Sequence, residues 1–420
     1  MCKPACQPNR LNDLIKEYCP RGVEYKTLGK IATISRGGNF QKKDYVTEGV
    51  PCIHYGQIYV HYNLFVEKTI SFISKETSRK QKFAEPNDII MAVTSENVDD
   101  VCKCVAWLGN EKVAVSGHTA IIHHKLNPKY LVYFLNSDYF YKQKTKLAHG
   151  TKVIEVTPDK LADIVLPVPP LPVQSEIVRI LDNFTELTAE LTAELTARKK
   201  QYEYYRDELL TFDDTVPMVR LGDFATIIRG GNFQKKDFVE DGYPCIHYGQ
   251  MYTHFGIFAD DVIKYVSEET FNKSKKAVPN DIVMAVTSEN VEDVCSCTAW
   301  LGDSDIAVSG HTAIIHHNQN AKYLSYYFHT RHFFDQKKRL AHGTKVIEVT
   351  PDKLNDIVLP LPSIEEQNKI VGILDRFDSI TNSFSSGLPA EIEARQKQYE
   401  YYRDKLLSFT RLPDGQEELA

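Results

Sequence analysis

The nonapeptide RGGNFQKKD occupies residues 36–44 and recurs unchanged at 229–237. Four further blocks return at the same offset of 193 residues: PCIHYGQ (51–57, 244–250), MAVTSEN (91–97, 284–290), VSGHTAIIHH (115–124, 308–317) and LAHGTKVIEVTPDKL (147–161, 340–354). A period that long is a duplicated domain and not a solenoid unit, because each copy is large enough to bury its own core. Two copies of one surface imply a target with two similar parts.

Each copy has two parts. The first is rich in β-branched and aromatic residues punctuated by Gly, Pro and Asn, as in YPCIHYGQMYTHFGIF and VPNDIVMAVTSEN. This is the pattern of short strands joined by turns. Helical patches interrupt it at 129–147 and 322–340, where aromatics fall at helical spacing. The pattern predicts a mixed α+β globule. The second part follows the Pro-rich breaks at 167–172 and 360–362. From 173 to 212, Ile177, Ile180, Leu181, Phe184, Leu187, Leu191 and Leu195 fall at spacings of three and four, one apolar stripe of a long helix. TAEL occurs twice, at 188–191 and 192–195. Ala and Glu favour helix, and a four-residue spacing keeps Leu near one face. A partner pattern runs from 363 to 409, but QYEYYRD at 201 returns at 398, an offset of 197. The second helical segment thus carries four extra residues in SSGLPAE, where Gly387 and Pro389 break it.

The expected organisation is an N-terminal helical segment (1–22), a first globular domain (23–165), a central helix (166–213), a second globular domain (214–358), a distal helix broken near 387–389 (359–412) and a tail (413–420). The two helices are expected to pair as a long antiparallel coiled coil that separates two similar mixed α/β domains with internal pseudo-two-fold symmetry.

Composition sets bounds. With 42% hydrophobic and 25% charged residues the 420-residue chain reads as globular. No apolar run reaches membrane-spanning length and the first residues lack the apolar core of a signal peptide, so a cytoplasmic location and no membrane partner are expected. The nine scattered cysteines are expected to stay reduced there. The net charge of −6 is unevenly spread. Residues 24–160 hold 19 basic and 14 acidic side chains, whereas 161–217 hold 5 and 11 and 354–420 hold 7 and 12. Acidity therefore gathers in the helical segments and leaves the first domain basic; the second, 218–353, is near −2, so charge favours an anionic partner only for the first copy.

Catalytic signatures are missing. The chain has no [DNS]-P-P-[YF] tetrad or FxGxG loop of an amino-methyltransferase and no phosphate-binding G-x-x-x-x-G-K-[ST]. Cys102 with Cys104, and Cys295 with Cys297, read as pairs on one face of a strand, but zinc needs four ligands and each domain offers one pair. His123 and His124, like His316 and His317, are neighbours facing opposite ways. Ser116 with His118, and Ser309 with His311, lack an orienting Asp. No catalytic residue, metal or cofactor is expected.

The repeated polar loops suit nucleic acid. Arg36, Asn39, Gln41, Lys42 and Lys43, with Arg229, Asn232, Gln234, Lys235 and Lys236, surround a Gly pair that would let backbone approach a ligand. Arg and Lys match guanine edges, Asn and Gln match adenine, and Lys also meets phosphate. His54, Tyr55 and Gln57, with His247, Tyr248 and Gln250, add donors and aromatic rings. Ser95 and Asn97, with Ser288 and Asn290, follow a buried strand. His149, Thr151 and Lys152, with His342, Thr344 and Lys345, form a further loop. Each loop alone reads as a solvated turn; their joint recurrence, while YNLFVEKTISFI diverges to FGIFADDVIKYV, favours a shared function.

The chain resembles the specificity subunit of type I restriction–modification enzymes. The resemblance covers essentially the whole chain and rests on RLNDLIKEYCPRGVEYKTLG, the RGGNFQKK and PCIHYGQIY blocks, LPVPPLPVQSEIVRILDNF, the TAEL pair and QYEYYRDELL. It implies two target recognition domains, each reading half of a split double-stranded DNA site. It implies helices that set the gap and dock two methyltransferase subunits, with restriction subunits in the full complex and methyl donor and ATP held by those partners. Near-identical domains favour a nearly palindromic site. The competing reading is a metal-dependent nuclease or hydrolase with duplicated domains, whose acids would be Asp99 and Asp100 with Glu292 and Asp293.

Overall fold

A computed structural model describes residues 8–381 and 387–413. The chain divides into two units, Met1–Glu190 with Ile392–Ala420, and Leu191–Glu391.

In the first unit the run IIMA forms the strand Ile89–Ala92, buried at every position. Ile89 and Met91 face one core, and Ile90 and Ala92 face another. A strand covered on both faces has no polar side to show, so it reads as a continuous apolar run. It is central in a sheet ordered Ala32–Arg36, Thr119–His124, Ile89–Ala92, Cys104–Trp107, Phe65–Val66, antiparallel except for the last pair. One face carries the helix Pro128–Leu135 and the start of Leu171–Leu209. Against the other lies a second five-stranded sheet, ordered Tyr45–Val46, Ser71–Ile73, Val50–Ile53, Val113–Val115, Lys82–Ala84. The second unit repeats both sheets in the same order, from Thr226–Arg229 to Phe258–Ala259 and from Phe238–Val239 to Lys276–Ala277.

The patch at 129–147 is two helices, Pro128–Leu135 and Asp138–Leu147, not one. Asn136 and Ser137 separate them, and Ser137 caps the second by accepting from the Phe140 amide. The first helix starts on Asn127, whose side chain accepts from Lys129 and Tyr130, with Pro128 at its first position. Its tyrosines are buried yet satisfied: the Tyr130 hydroxyl donates to the Pro167 carbonyl at 3.0 Å and Tyr133 to Asp182 at 2.7 Å. Lys129 also reaches Asp182, at 2.6 Å, so one carboxylate ties the domain to the long helix. In the second unit Lys322 and Tyr326 hold Asp375 in the same way.

The helix Leu171–Leu209 is unbroken over 39 residues. Within the first unit Val173, Ile177 and Leu181 join the domain core with Tyr399 and Leu407, and Phe184 stacks on Tyr402. Within the second, Tyr205 stacks on Phe377, and Ile370 and Leu374 enter the core from Ile364–Thr381. The next helix, Leu388–Leu406, begins directly after Gly387. Residue 387 opens the described part of the SSGLPAE insertion; 385 and 386 lie outside the described residues.

Cys102 departs from the expected strand pair. It sits in a left-handed turn (φ 68°) before the strand Cys104–Trp107, as Cys295 does (φ 66°) before Cys297–Trp300. The turn is pinned from below by buried Lys144, whose ammonium donates to the Asp99 and Val101 carbonyls at 2.7 Å each. Lys337 does the same for Glu292 and Val294. Burial lowers the pKa of both lysines.

Candidate nucleic-acid interface

Strand ends bring the repeated loops to one edge. In the first unit Arg36 pairs in register with Ala120, and Ala92 with Thr119. Val115 pairs with Ile53 in the other sheet, and a bridge from Gly38 to Ser116 joins the two. The segments 36–44, 54–59, 94–97 and 116–118 therefore meet. The short strand Thr94–Ser95 then pairs with Ile154–Glu155, which brings in the loop 149–153. The second unit makes the matching set of pairings.

The glycines have a different task from the one their sequence suggests. A Cβ on Gly37 would collide with the Ser116 carbonyl, and one on Gly38 with the Gln81 side chain. Both glycines thus make room for neighbouring parts of the fold, Gly37 for the turn at Ser116 and Gly38 for the segment at Gln81. Phe40 is buried, the Asn39 amide donates to Gln81 and the Gln41 amide to Asp44. The loop is thus fixed while Asn39, Gln41, Lys42 and Lys43 stay exposed; so do Asn232, Gln234, Lys235 and Lys236.

His54 and Gln57 are interior caps. His54 Nδ1 accepts from the Gly56 amide at 3.2 Å, and Gln57 accepts from the His54 amide at 2.8 Å. Both side chains are buried, as are His247 and Gln250 in the same geometry. Capping uses the polarity that made them look like ligands. Burial, with Lys42 and then His118 nearby, lowers the His54 pKa; burial with Lys235 and His311 pushes His247 down to about 4. Tyr55 is half-buried, its ring 4.5 Å from His54 and 5.0 Å from His118, and Tyr248 lies likewise between His247 and His311.

Asn97 is exposed but engaged, folding back onto Asp100 through both ends of its amide; Asn290 does so onto Asp293. Ser95 and Ser288 are half-buried in their strands. His149 pairs with Glu155, and Gly150 (φ 113°) makes the tight turn that leaves Thr151 and Lys152 in solvent. His342, Gly343, Thr344 and Lys345 repeat this arrangement.

Two further pairs on this edge, both in repeated blocks, are not among the nucleic-acid candidates read from the sequence. His118 and His311 are exposed on this edge, each with Nδ1 by a threonine hydroxyl, Thr94 at 3.2 Å and Thr287 at 3.1 Å. Glu155 and Glu348 hold the arginines: Arg36 Nη2 donates to Glu155 at 2.6 Å while its Nε donates to the Gly117 carbonyl at 3.0 Å, and Arg229 Nη2 donates to Glu348.

The edge thus offers guanidinium, ammonium, amide and imidazole donors around an aromatic ring. Among the described residues no group of three or more His, Cys, Asp or Glu is arranged to hold a metal. Asp99 accepts from the Tyr141 hydroxyl at 2.7 Å, and the Asp100 carboxylate accepts from the Asn97 side-chain amide at 2.8 Å, so both acids are engaged within the fold.

Comparison with known proteins follows the same repeat. The family described as type I restriction modification DNA specificity domain matches twice, at residues 20–198 and 213–394. The Escherichia coli EcoR124I/EcoR124II specificity subunit is 39% identical over 57% of this chain and 60% of its own length. A Haemophilus influenzae protein named as a type I restriction enzyme specificity subunit is 32% identical over 72% of this chain and 77% of its own. One solved chain, from work on complex assembly and conformational transition of the type I R-M system, is 18% identical and aligns over 92% of this chain and 98% of its own with a TM-score of 0.63. At that identity the likeness concerns the fold.

Proposed function

We propose for this chain, which belongs to the type I restriction–modification DNA specificity family, that its two domains each read one half of a bipartite DNA site. As a specificity subunit it is not itself the enzyme. The observation that carries the reading is that the repeated polar loops, scattered over more than a hundred residues in each copy, converge on one edge and expose donors there. Lys42, Lys43 and Lys152, with Lys235, Lys236 and Lys345, suit phosphates. Arg36, Asn39 and Gln41, with their counterparts, suit base edges. Asn97, His149 and Thr151 line the same surface. His54, Tyr55, Gln57 and Ser95 support it from beneath, and His247, Tyr248, Gln250 and Ser288 do so in the other copy.

Like domains read like sequences, so the half-sites are inverted near-copies, as for two-fold dimers. The Leu171–Leu209 helix, with the helical segments after Pro362, pairs as the coiled coil that sets the unread gap. It docks two methyltransferase subunits, which restriction subunits join, and the complex works in the cytoplasm. No helix among the described residues is long and apolar enough to cross a membrane.

The test is binding of the chain, with its modification subunits, to duplex DNA. Specific binding with a steep salt dependence supports the reading. Arg36→Ala relaxes recognition of one half-site and Arg229→Ala of the other. Methyl transfer by this chain alone, or metal-dependent cleavage by it, overturns the reading.

A further inference from the structure

An acid is out of place on a surface that meets phosphates, yet in each domain one is tied there to an arginine of the repeated loops. Glu155 and Glu348 sit on the short strands Ile154–Glu155 and Ile347–Glu348, at 28% and 29% side-chain exposure, beside the donors of the polar loops. Neither is a free charge. Glu155 holds Arg36 Nη2 at 2.6 Å, and Glu348 holds Arg229 Nη2. The geometry recurs in two domains whose intervening segments have diverged, so a chance surface pairing is a poor account of it.

The consequence lies in what the contacts leave over. Arg36 donates from Nε to the Gly117 carbonyl and from Nη2 to Glu155, while about half its side chain remains in solvent. These contacts fix the guanidinium plane. A guanidinium has about five N–H donors in a rigid fork, so Nη1 and the second hydrogen of Nη2 stay free at its outer end. Such a fork matches the N7 and O6 acceptors of guanine. A side chain that only met phosphate would gain nothing from being locked beside a carboxylate, which weakens its attraction to the backbone.

We propose that Glu155 and Glu348 are positioning residues that orient Arg36 and Arg229 to read guanine, so that both half-sites carry a guanine at the corresponding position. This deepens the DNA-reading function above and rests on it.

The experiment selects bound sequences from a randomised duplex pool, using the full chain with its modification subunits. Arg36→Lys keeps the positive charge and loses the fork. It is expected to reduce the preference for guanine at one position of the first half-site by about 5- to 150-fold, the worth of one bidentate base contact. Glu155→Ala is expected to relax the same position and leave the second half-site intact. Glu155→Gln, which still offers an oxygen to Nη2, is expected to keep the preference. Arg229→Lys and Glu348→Ala act only on the other half. The second half-site serves as the folding control within each variant, and Arg36→Lys, a change at an exposed side chain, carries the test if Glu155→Ala unfolds its domain. An unchanged motif with Arg36→Lys overturns the proposal. So does Glu155→Ala that tightens binding to every sequence alike without altering the motif. A wild-type chain that selects no motif refutes the DNA-reading function itself, an outcome distinct from either.

Discussion

Inserting a third TAEL after Leu195 is expected to widen the unread gap between half-sites while leaving the half-sites unchanged. The helix Leu171–Leu209 runs unbroken through the existing pair, and the chain passes from the first unit to the second between Glu190 and Leu191, inside that pair. Packing there is light: Leu191 and Leu195 are half-buried and the residues from 192 to 194 exposed. An insertion therefore disturbs little core. Four residues add about 6 Å of helix and about 40° of net rotation. DNA rises about 3.4 Å per base pair, so the gap grows by one base pair, or two at most. The lower value follows if the helix lies oblique to the DNA or if the partner helix, which gains no length, limits the extension. The spacing of four between leucines is kept, so the apolar stripe survives. Mapping methylated bases in cells carrying either version reads the gap directly. An active insertion variant with an unchanged gap would refute the reasoning and reduce 188–195 to ordinary helix.

Removing the carboxylate that ties the first domain to its helix, Asp182→Ala, leaves Tyr133 and Lys129 without their acceptor and is expected to cost about 2–3 kcal/mol, read as a lower denaturant midpoint; Tyr133→Phe, which leaves the ion pair, is expected to cost about 1 kcal/mol. Lys144→Met strips the Asp99 and Val101 carbonyls of their shared donor and is expected to loosen the turn around Cys102, with faster amide exchange at 97–103 and weakened recognition of the first half-site only. Acid is a third probe. Burial pushes His124 and His317 down to about 4, so both are neutral when folded yet protonate near 6.5 when unfolded. The stability these two rings contribute is full above pH 6.5, falls between 6.5 and 4 and levels off below, with a loss of about 1 kcal/mol for buried His124 at pH 5.5. A urea midpoint flat across that window would contradict the burial of these rings.

The duplication and the long helix were legible because both are periodic: identical blocks at one offset, and apolar residues at spacings of three and four. The two-sheet layering was not. Its pairings join residues far apart in sequence, such as Val115 with Ile53, and a run like IIMA states that both faces are covered without stating by what. The interface was legible as loops and less so as side chains. His54 and Gln57 carry the polarity of a ligand but spend it on helix-start amides, and the Gly pair at 37 and 38 makes room for neighbouring parts of the fold. Lys144 sits among the charges of DYFYKQKTKL and nothing in that string says that it alone turns inward. Glu155 was overlooked because a carboxylate argues against DNA until its arginine is seen beside it.

The most direct measurement of the central claim is the sequence motif itself, from duplexes recovered with the chain and its modification subunits or from methylated sites in the host. Two domains with matching edges predict a split motif of two inverted, nearly identical half-sites around a fixed unread gap. A single continuous motif would contradict reading by two domains. Two unrelated half-sites would contradict the claim that the repeated loops do the reading, and would assign it to the segments that differ between the copies.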